Sequence, residues 1–492
     1  MSALTDLYRP SLALLTDLYQ LTMAYAAWRS GVADREAVFH LFFRKAPFDG
    51  GFAVACGLEH ALDWLTHARF DESDCAYLAT LQSADGTPLF DTDFLTMLRE
   101  LRFDVDVDAM PEGTAVFAQE PLLRVRGPII PCMLAETPLL NLVNFQTLVA
   151  TKAARIASAA RGEPVLEFGL RRAQGVDGAL AASRAAYVGG CAATSNVLAG
   201  RLYGIPVRGT HAHSWVMLFD DERTAFDAYA DALPRNCVFL VDTYDTLAGV
   251  RNAIAVGQRL RQNGHQLLGV RLDSGDLAEL SIRARAMLDA AGFADTRVYA
   301  TNDLDEKIIE SLKQQGAAIA VWGVGTRLVT AYDDPALGGV YKLAAVRRRG
   351  ETAWQYRVKL SEQAIKTSTP GLLQVRRLRD SQGLLGDAIY DVEQGWPMSG
   401  DAVAIDPFDA TKRRIIAAAT AGEDLLQPVL RQGEPVATLP SLAAIRDRAA
   451  SQVAALPVGV KRFVNAHLYP VWLEQSLHET RTRLILQARA QI

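Results

Sequence analysis

The stretch VRLDSGDLAEL, from Val270 to Leu280, shows the pattern that decides the fold of this chain. A short run of apolar and β-branched residues ends in a turn of Asp, Ser and Gly, and a helical pattern follows. Similar runs occur six times between about 163 and 329: PVLEFGLRRAQG, IPVRGTHAHS, CVFLVDTYDT, QLLGVRLDSGD, RVYATNDLDE and IAVWGVGT. This region therefore predicts consecutive strand–helix units.

The spacing of these runs indicates how the strands are arranged. One marker near each strand end gives successive gaps of 43, 32, 31, 29 and 21 residues, at Glu167, Thr210, Asp242, Asp273, Asn302 and Gly323. Continuous apolar strands joined by helices are typical of a parallel sheet buried on both faces. So many units in single-wound order favour a closed or nearly closed α/β barrel, with a doubly wound sheet as the alternative. In a barrel, the polar residues at the strand ends converge on one site.

The flanks of this region predict two smaller parts. Residues 1–130 combine a helical opening with short strands such as AVFHLFF and PLLRVRG, which predicts an N-terminal α/β domain. The barrel is expected over 131–345. Residues 346–492 predict a C-terminal α/β extension packed on the barrel and the N-terminal domain.

Composition excludes several classes of protein. The 492 residues include 51 Lys and Arg against 56 Asp and Glu, with no block of like charge, which argues against nucleic acid or an anionic membrane as the main partner. The five cysteines are scattered and odd in number, as expected in a reducing cytoplasm. Residues 1–20 show no export signal, and no apolar run is long enough to span a membrane.

The DSGD turn is the first candidate for binding chemistry. Ser274 and Gly275 lie between Asp273 and Asp276 where a strand is expected to pass into a helix. Backbone N–H groups at such a turn suit phosphate, and carboxylates suit a ribose diol or a hydrated Mg²⁺. Ordinary capping of the next helix is the alternative for each acidic residue.

The sixth run supplies a glycine turn. Gly323, Gly325 and Thr326 in WGVGTRL let the backbone approach an anion closely, although a plain turn explains them equally well. The third glycine of a GxGxxG dinucleotide fingerprint is absent from this motif.

Two other strand ends carry polar or charged groups. Phe168, Arg171 and Arg172 in EFGLRRAQG offer cations and an aromatic face for a flat anionic ring, with a solvated loop as the alternative. Asn302 in ATNDLDE adds a short polar group that could equally cap a helix.

Two histidines stand close together in GIPVRGTHAHSWVMLF. In an extended strand His211 and His213 would share one face. A metal site would need further histidines on later strands, but the only other histidine in the barrel region, His265, precedes a strand. His211 therefore fits a structural role. His213, beside Ser214, could accept a phosphoryl group, because neutral imidazole is a nucleophile.

Taken together, the motifs resemble those of nicotinate phosphoribosyltransferases over nearly the full chain. The matching motifs occur in order: LLTDLYQLTMAY, FRKAPFDGGFAVACGLE, EFGLRRAQG, GTHAHSWV, VDTYDT, VRLDSGDL, WGVGTRLV, GGVYKL and VKLSEQAIKTSTPG. The resemblance implies the irregular α/β barrel of type II phosphoribosyltransferases, with an N-terminal α/β domain.

The resemblance also implies a reaction. Nicotinate and 5-phosphoribosyl 1-diphosphate would give nicotinate mononucleotide and diphosphate, the first step of NAD salvage from nicotinate. ATP would be a co-substrate, coupled through a phosphohistidine, with Mg²⁺ or Mn²⁺ as the metal, whose ligands remain open. The chain would form a homodimer with active sites at the subunit interface.

Residue roles follow from the same resemblance. His213 would carry the phosphate. Thr210, Arg271 and Tyr19 would contact nicotinate, Tyr19 from the partner subunit, and Thr326 would contact the phosphoribosyl diphosphate. Physical reasoning adds carboxylates near the cationic ribose, so Asp273 is expected to be catalytic together with His213.

Two other functions stay open at this point. Nicotinamide phosphoribosyltransferase shares the fold and chemistry but takes a neutral substrate, and arginines near the ring favour the acid. A non-catalytic binding protein on the same barrel is the other alternative, and the combined presence of Asp273, Asp276, Asn302 and His213 argues against it.

Overall fold

In this computed structural model, the structure describes residues 11–397 and 399–490. The first ten residues of the stretch 1–20, where no export signal is expected, lie outside the described residues. The chain divides into two compact units. We call Leu148–Pro335 with Leu442–Ala450 the barrel unit, and Met1–Thr147 with Ala336–Ser441 and Ser451–Ile492 the flanking unit.

The first 160 residues contain both helices and strands. The helices are α1 (Leu18–Arg29), α2 (Leu58–His67), α3 (Glu72–Leu78), α4 (Thr92–Glu100), α5 (Ile129–Leu134) and α6 (Glu136–Ala160). The strands are β1 (Arg35–Phe43), β2 (Ala53–Val54), β3 (Asp106–Ala109), β4 (Ala115–Val116) and β5 (Leu123–Pro128). A 3₁₀ turn spans Pro47–Asp49.

The middle of the chain alternates strands with helices. The strands are β6 (Val165–Glu167), β7 (Ala193–Thr194), β8 (Val238–Leu240), β9 (Gly269–Leu272), β10 (Arg297–Ala300) and β11 (Val321–Val324). The helices are α7 (Gly175–Val188), α8 (Val197–Tyr203), α9 (His213–Val216), α10 (Glu222–Ala232), α11 (Thr246–Gln262), α12 (Leu277–Ala290), α13 (Glu306–Gln314) and α14 (Thr326–Val329). A 3₁₀ turn spans Leu170–Arg172.

The last third is mostly strand. The strands are β12 (Gly339–Arg348), β13 (Gln355–Tyr356), β14 (Leu373–Asp380), β15 (Gly383–Asp391), β16 (Ala402–Ile405), β17 (Arg413–Ile416), β18 (Ala421–Asp424), β19 (Gln427–Arg431), β20 (Glu434–Pro435) and β21 (Val471–Glu474). The helices are α15 (Leu442–Ala455) and α16 (Gln475–Arg489), and a 3₁₀ turn spans Ala364–Lys366.

The barrel unit contains a six-stranded parallel sheet in the order β7-β6-β11-β10-β9-β8. The first strand of the unit, β6, pairs with the last, β11, as the strands of a barrel do and those of a doubly wound sheet do not. Beyond β7, Val207 adds a single parallel bridge to Thr194. The predicted barrel is confirmed, but it is not closed, because no described strand pairs with the free edge of β8.

The expectation of a strand carrying both histidines is wrong. Residues 206–208 pair with Thr194 only, because β7 is two residues long and offers no further ladder. His211 lies in irregular backbone, and His213 is the first residue of α9. The two imidazoles therefore do not share one face of a strand.

The flanking unit contains two larger sheets. A seven-stranded antiparallel sheet has the order β13-β12-β1-β5-β3-β19-β20, and a six-stranded mixed sheet has the order β17-β16-β21-β15-β14-β18. The backbone of Leu373 at the start of β14 connects them: its N–H donates to His40 Nε2 at 3.2 Å, and its carbonyl accepts from Arg124 Nη1 at 2.8 Å. His40 is buried, and it must stay unprotonated at Nε2 to accept this hydrogen bond.

The domain boundaries expected from the sequence fall inside regular elements. The boundary after 130 lies in α5, and the boundary after 345 lies in β12. The division into 1–130, 131–345 and 346–492 stays a prediction. Within the part of the chain that the structure describes, no helix is both long and apolar enough to cross a membrane.

His40 makes the stability of the fold sensitive to acid. Burial, and secondarily the Arg124 charge, lower the pKa of His40 to about 3. Because the folded pKa lies below the unfolded one, the stabilisation is complete above about pH 6.5 and is lost as the pH falls towards 3. Between pH 7.5 and 5, we expect wild-type protein to lose about 2 kcal/mol of unfolding free energy through this residue alone.

The His40→Gln variant tests this expectation by urea unfolding at pH 7.5 and 5. Glutamine can accept the N–H of Leu373 but does not titrate, so the variant should lose about 2 kcal/mol less than wild type over this interval. Equal losses in the two proteins would contradict the prediction.

Candidate active site

A cavity of about 510 Å³ lies at the carboxyl ends of the strands of the barrel unit. Loops and turns that follow β6, β7, β9, β10 and β11 contribute to its wall. Ten residues expected from the sequence line it: Phe168, Arg171, Arg172, Thr210, Arg271, Asp273, Asn302, Gly323, Gly325 and Thr326. The strand ends therefore converge as a barrel requires.

The glycine turn after β11 is shaped by its neighbours. A Cβ at Gly323 would lie 2.5 Å from Thr301 Cγ2 and 2.9 Å from Phe168 Cδ2. A Cβ at Gly325 would lie 3.1 Å from the Phe168 carbonyl oxygen. Gly323 is thus required for the Phe168 ring to pack against this strand. Thr326 and Arg327 lie in the first turn of α14. Their N–H groups have no hydrogen-bond acceptor within the helix.

Arg271 provides a cation within the cavity wall. Its Nη1 donates to Thr210 Oγ1, while its buried Nε has no hydrogen-bond partner among the described residues. Burial lowers the pKa of Arg271, the nearby Arg171 lowers it further, and the carboxylates of Asp273 and Asp242 oppose this. A buried donor without an acceptor is costly, so this position is suited to an anionic ligand.

Arg171 and Arg172 lie on the 3₁₀ turn after β6 and are exposed. Neither has a hydrogen bond or ion pair with any other described residue, so both guanidinium groups remain available to a ligand. Arg171 is close enough to Arg271 to influence its pKa, which concentrates positive charge on this side of the cavity.

His213 lies beside the cavity rather than in its wall. Its Nδ1 is 3.1 Å from Thr243 Oγ1, and its Nε2 is 3.9 Å from both Asp242 Oδ1 and Asp273 Oδ2. The side chain is 40% exposed. If Nδ1 carries the proton and donates to Thr243, the lone pair of Nε2 is free to attack an electrophile.

Asp242 organises the turn that follows β9. Its Oδ2 accepts from the Asp273 N–H at 2.8 Å and from Ser274 Oγ at 2.7 Å, and Gly275 takes a φ of +79° that favours glycine. Its Oδ1 is buried and has no hydrogen-bond partner within the described ranges. Ser274 and Gly275 therefore support the site through this turn, next to the cavity wall.

The acidic residues after the strands divide into two groups. Asp276 accepts from the N–H groups of Ala278 and Glu279, so the capping interpretation holds for this residue. Asp273 caps no helix. Its Oδ1 accepts from Thr301 Oγ1, and its other oxygen faces His213.

Asn302 has an unusual backbone. Its φ of +115° is outside the range that non-glycine residues normally adopt, and its Oδ1 accepts from the N–H of Asp303 at 2.8 Å. Such strain is stored most often at functional sites. The side chain is exposed at the cavity, which agrees with the position expected for it.

Two polar residues of the cavity wall, Ser195 and Thr301, were not among those expected from the sequence. Ser195 follows β7, whose two residues are too few for a recognisable strand pattern. Thr301 ends the β10 run, and its hydroxyl orients Asp273, a contact that becomes visible only in three dimensions.

Tyr19 belongs to the flanking unit. It lies on α1, and its side chain is 49% exposed. Its expected contact with the pyridine ring, made from a partner subunit, stays a prediction. Among the described residues, no group of three or more His, Cys, Asp and Glu side chains could hold a metal ion.

Comparison with known proteins gives matches along most of the chain. The family models described as the nicotinate phosphoribosyltransferase (NAPRTase) N-terminal domain, the NAPRTase family and the nicotinate phosphoribosyltransferase C-terminal domain match residues 14–144, 164–380 and 374–481. The nicotinate phosphoribosyltransferase of Bacillus subtilis (strain 168) is 43% identical over 489 residues, which cover 96% of this chain and 97% of the relative. That of Bos taurus is 37% identical and covers 96% of each chain.

A solved structure shows the same fold. The crystal structure of human nicotinic acid phosphoribosyltransferase superposes with a TM-score of 0.83 at 36% identity and covers 95% of this chain and 99% of that one. This match confirms the type II phosphoribosyltransferase fold expected from the sequence.

Proposed function

Because the chain belongs to the nicotinate phosphoribosyltransferase family, we propose that it forms nicotinate mononucleotide and diphosphate from nicotinate and 5-phosphoribosyl 1-diphosphate. This reaction is the first step of NAD salvage from nicotinate. The observation that carries the proposal is the buried Arg271 Nε without a partner, in a cavity that also holds Arg171. A carboxylate on a flat ring would supply the missing acceptor, and Phe168 offers an aromatic face.

The transfer itself needs little proton chemistry. The pyridine nitrogen carries a free lone pair, so the bond from nitrogen to C1 forms as the C1–O bond breaks and its electron pair leaves with diphosphate. The ribose becomes cationic on the way, and the carboxylate of Asp273 at the cavity wall is suited to stabilise it. The first-turn N–H groups at Thr326 are suited to hold the phosphate of the ribose.

We assign the ATP-coupled step to His213. Its Nε2 would attack the γ-phosphorus of ATP, ADP would leave, and water would later accept the phosphoryl group. Thr243, 3.1 Å from Nδ1, would hold the reactive tautomer. The phosphate adds negative charge and acceptor oxygens close to Asp242 and Asp273, so the phosphorylated state needs a cation nearby.

Mg²⁺ or Mn²⁺ fits that requirement. Asp242 Oδ1 is buried without a hydrogen-bond partner among the described residues, and Asp273 Oδ2 lies on the same side of His213. These two carboxylates would hold the ion together with substrate phosphates, the usual arrangement for Mg²⁺. When bound, the ion would neutralise charge on the leaving diphosphate.

The first experiment tests the reaction and the phosphate carrier together. Purified protein is incubated with nicotinate, phosphoribosyl diphosphate and Mg²⁺, with and without ATP, and both the mononucleotide and acid-labile protein phosphate are measured. We expect His213→Ala to abolish the phosphoprotein and the ATP stimulation. Thr243→Val keeps the shape of the side chain but removes its oxygen, and should slow phosphorylation about tenfold.

The results separate the parts of this proposal. ATP coupling that is unchanged in His213→Ala would reject the phosphate carrier, whereas binding of phosphoribosyl diphosphate without any turnover would favour the non-catalytic alternative.

Discrimination between nicotinate and nicotinamide tests the role of Arg271. Arg271→Gln removes the cation, so kcat/KM for nicotinate should fall about 10- to 100-fold, the effect of losing one hydrogen bond to a charged group. The low kcat/KM expected for neutral nicotinamide should change little. Arg297→Gln, at an exposed position at the start of β10, is the matched control. Equal losses for both substrates in Arg271→Gln would contradict a carboxylate contact.

We propose a homodimer with shared active sites. Apolar side chains on loops and short helices of the barrel unit are exposed in the single chain: Leu170, Val197, Leu198, Leu202, Val207, Met217 and Leu218. Leu18, Tyr19 and Met23 on α1 are also exposed. A second subunit that covered such side chains would remove their apolar surface from water. None of the five cysteines forms a disulfide with another described residue, which supports a reducing cytoplasm as the location.

Mixing two variants that both lack ATP-stimulated turnover tests this arrangement. If Tyr19 acts in the partner's site, a mixed dimer of Tyr19→Ala and His213→Ala contains one complete site and should recover ATP-stimulated turnover that neither variant shows alone. Subunits are mixed after mild denaturation and refolding, and sedimentation gives the oligomeric state. Mixed dimers without recovered turnover would place Tyr19 in the site of its own chain or outside the site.

A further inference from the structure

His211 makes an unusual hydrogen bond at the open edge of the barrel. Its Nε2 accepts the backbone N–H of Leu240, the last residue of β8, at 3.3 Å. Leu240 is paired with Arg271 of β9 on its other side, and the next N–H, that of Val241, donates to the Arg271 carbonyl. The N–H of Leu240 therefore faces the gap where a closed barrel would have its next strand.

The imidazole of His211 takes the place of a backbone carbonyl in that gap. The residue is 8% exposed, with the rings of Tyr229 at 5.1 Å, Phe226 at 5.9 Å and Phe239 at 6.1 Å. Burial lowers the pKa of His211 to about 4, so the ring is neutral at physiological pH. Because Nε2 accepts, the proton lies on Nδ1, which is 3.4 Å from the Ala212 carbonyl oxygen.

This hydrogen bond joins two segments that supply the functional groups. On one segment, Thr210 and His213 flank His211. On the other, Asp242 and Thr243 follow β8 after a single residue, Val241. Thr210 contacts Arg271, and His213 contacts Thr243. No described strand pairing continues the ladder between the two segments, so their spacing depends on side-chain contacts such as this one.

We propose that His211 is a positioning residue, whose hydrogen bond to the Leu240 N–H sets the spacing between His213 and Thr243 and keeps Thr210 against Arg271. The role in catalysis rests on the function proposed above for His213. The hydrogen bond itself does not depend on that function.

Two variants separate the hydrogen bond from the bulk of the side chain. His211→Gln can still accept at about the position of Nε2, whereas His211→Leu fills the same space without an acceptor. His265→Leu is the control, because His265 lies in the turn before β9, away from the carboxyl ends of the strands. All assays are run at a temperature at which circular dichroism shows each variant to be folded.

Three measurements are made on each full-length protein. Hydrogen exchange in a peptide covering 238–241 reports the Leu240 amide, the rate of phosphoprotein formation from ATP reports His213, and KM for nicotinate reports Thr210. In His211→Leu we expect exchange at least about tenfold faster and phosphorylation about tenfold slower, as for the loss of one hydrogen bond, together with a raised KM. His211→Gln should stay within about threefold of wild type in all three measurements.

The proposal is overturned if folded His211→Leu is phosphorylated at the wild-type rate. It is also overturned if His211→Gln protects the Leu240 amide but is as slow as His211→Leu. A wild-type protein that forms neither phosphoprotein nor mononucleotide would refute the proposed function, and the positioning role with it. The exchange measurement would still decide whether the hydrogen bond exists.

Discussion

The pairing of β6 with β11 is the constraint on which the site depends. It brings the first strand of the barrel unit beside the last, so that Phe168 and Arg171, which follow β6, meet Gly323 near the end of β11 and Thr326 after it. A Cβ at Gly323 would clash with Phe168, which shows how tightly the two strand ends are joined. The other strands extend from this pair in chain order, and their ends complete the cavity.

The residues of this cavity could be predicted from the sequence because, in a barrel, the residue that follows each strand lies at the same edge of the sheet. Five of the six runs became strands, and the residues at their ends lie together because parallel strands end at one edge. The second run failed for a physical reason: β7 provides only two residues to pair with, so 206–208 form a bridge and then leave the sheet. Because a two-residue strand such as β7 has no recognisable apolar pattern, its position in the sheet could not be predicted from the sequence.

The functions of individual polar residues were harder to predict. Asp273 and Asp276 stand three apart around one turn, yet one faces His213 and the other caps a helix. Both are aspartates that follow the same strand, so the residue type alone cannot predict which of them faces His213 and which caps the helix. The difference arises from the turn itself, which Asp242 fixes from the neighbouring strand end by accepting the Asp273 N–H. That contact spans two strand–helix units and cannot be read from either unit alone.

His211 and His213 show how the same residue type acquires different chemistry within three positions. The His211 ring lies among aromatic side chains, where burial keeps it neutral and a backbone donor occupies its lone pair. The His213 side chain is 40% exposed. Its Nδ1 contacts the hydroxyl of Thr243, and its Nε2 lies 3.9 Å from the carboxylates of Asp242 and Asp273. A lone pair already engaged by an N–H cannot attack phosphorus, whereas one that faces an open site can. The incomplete barrel explains this difference, because the N–H of Leu240 at the gap beside β8 needs an acceptor, and the segment that supplies it through His211 also carries His213.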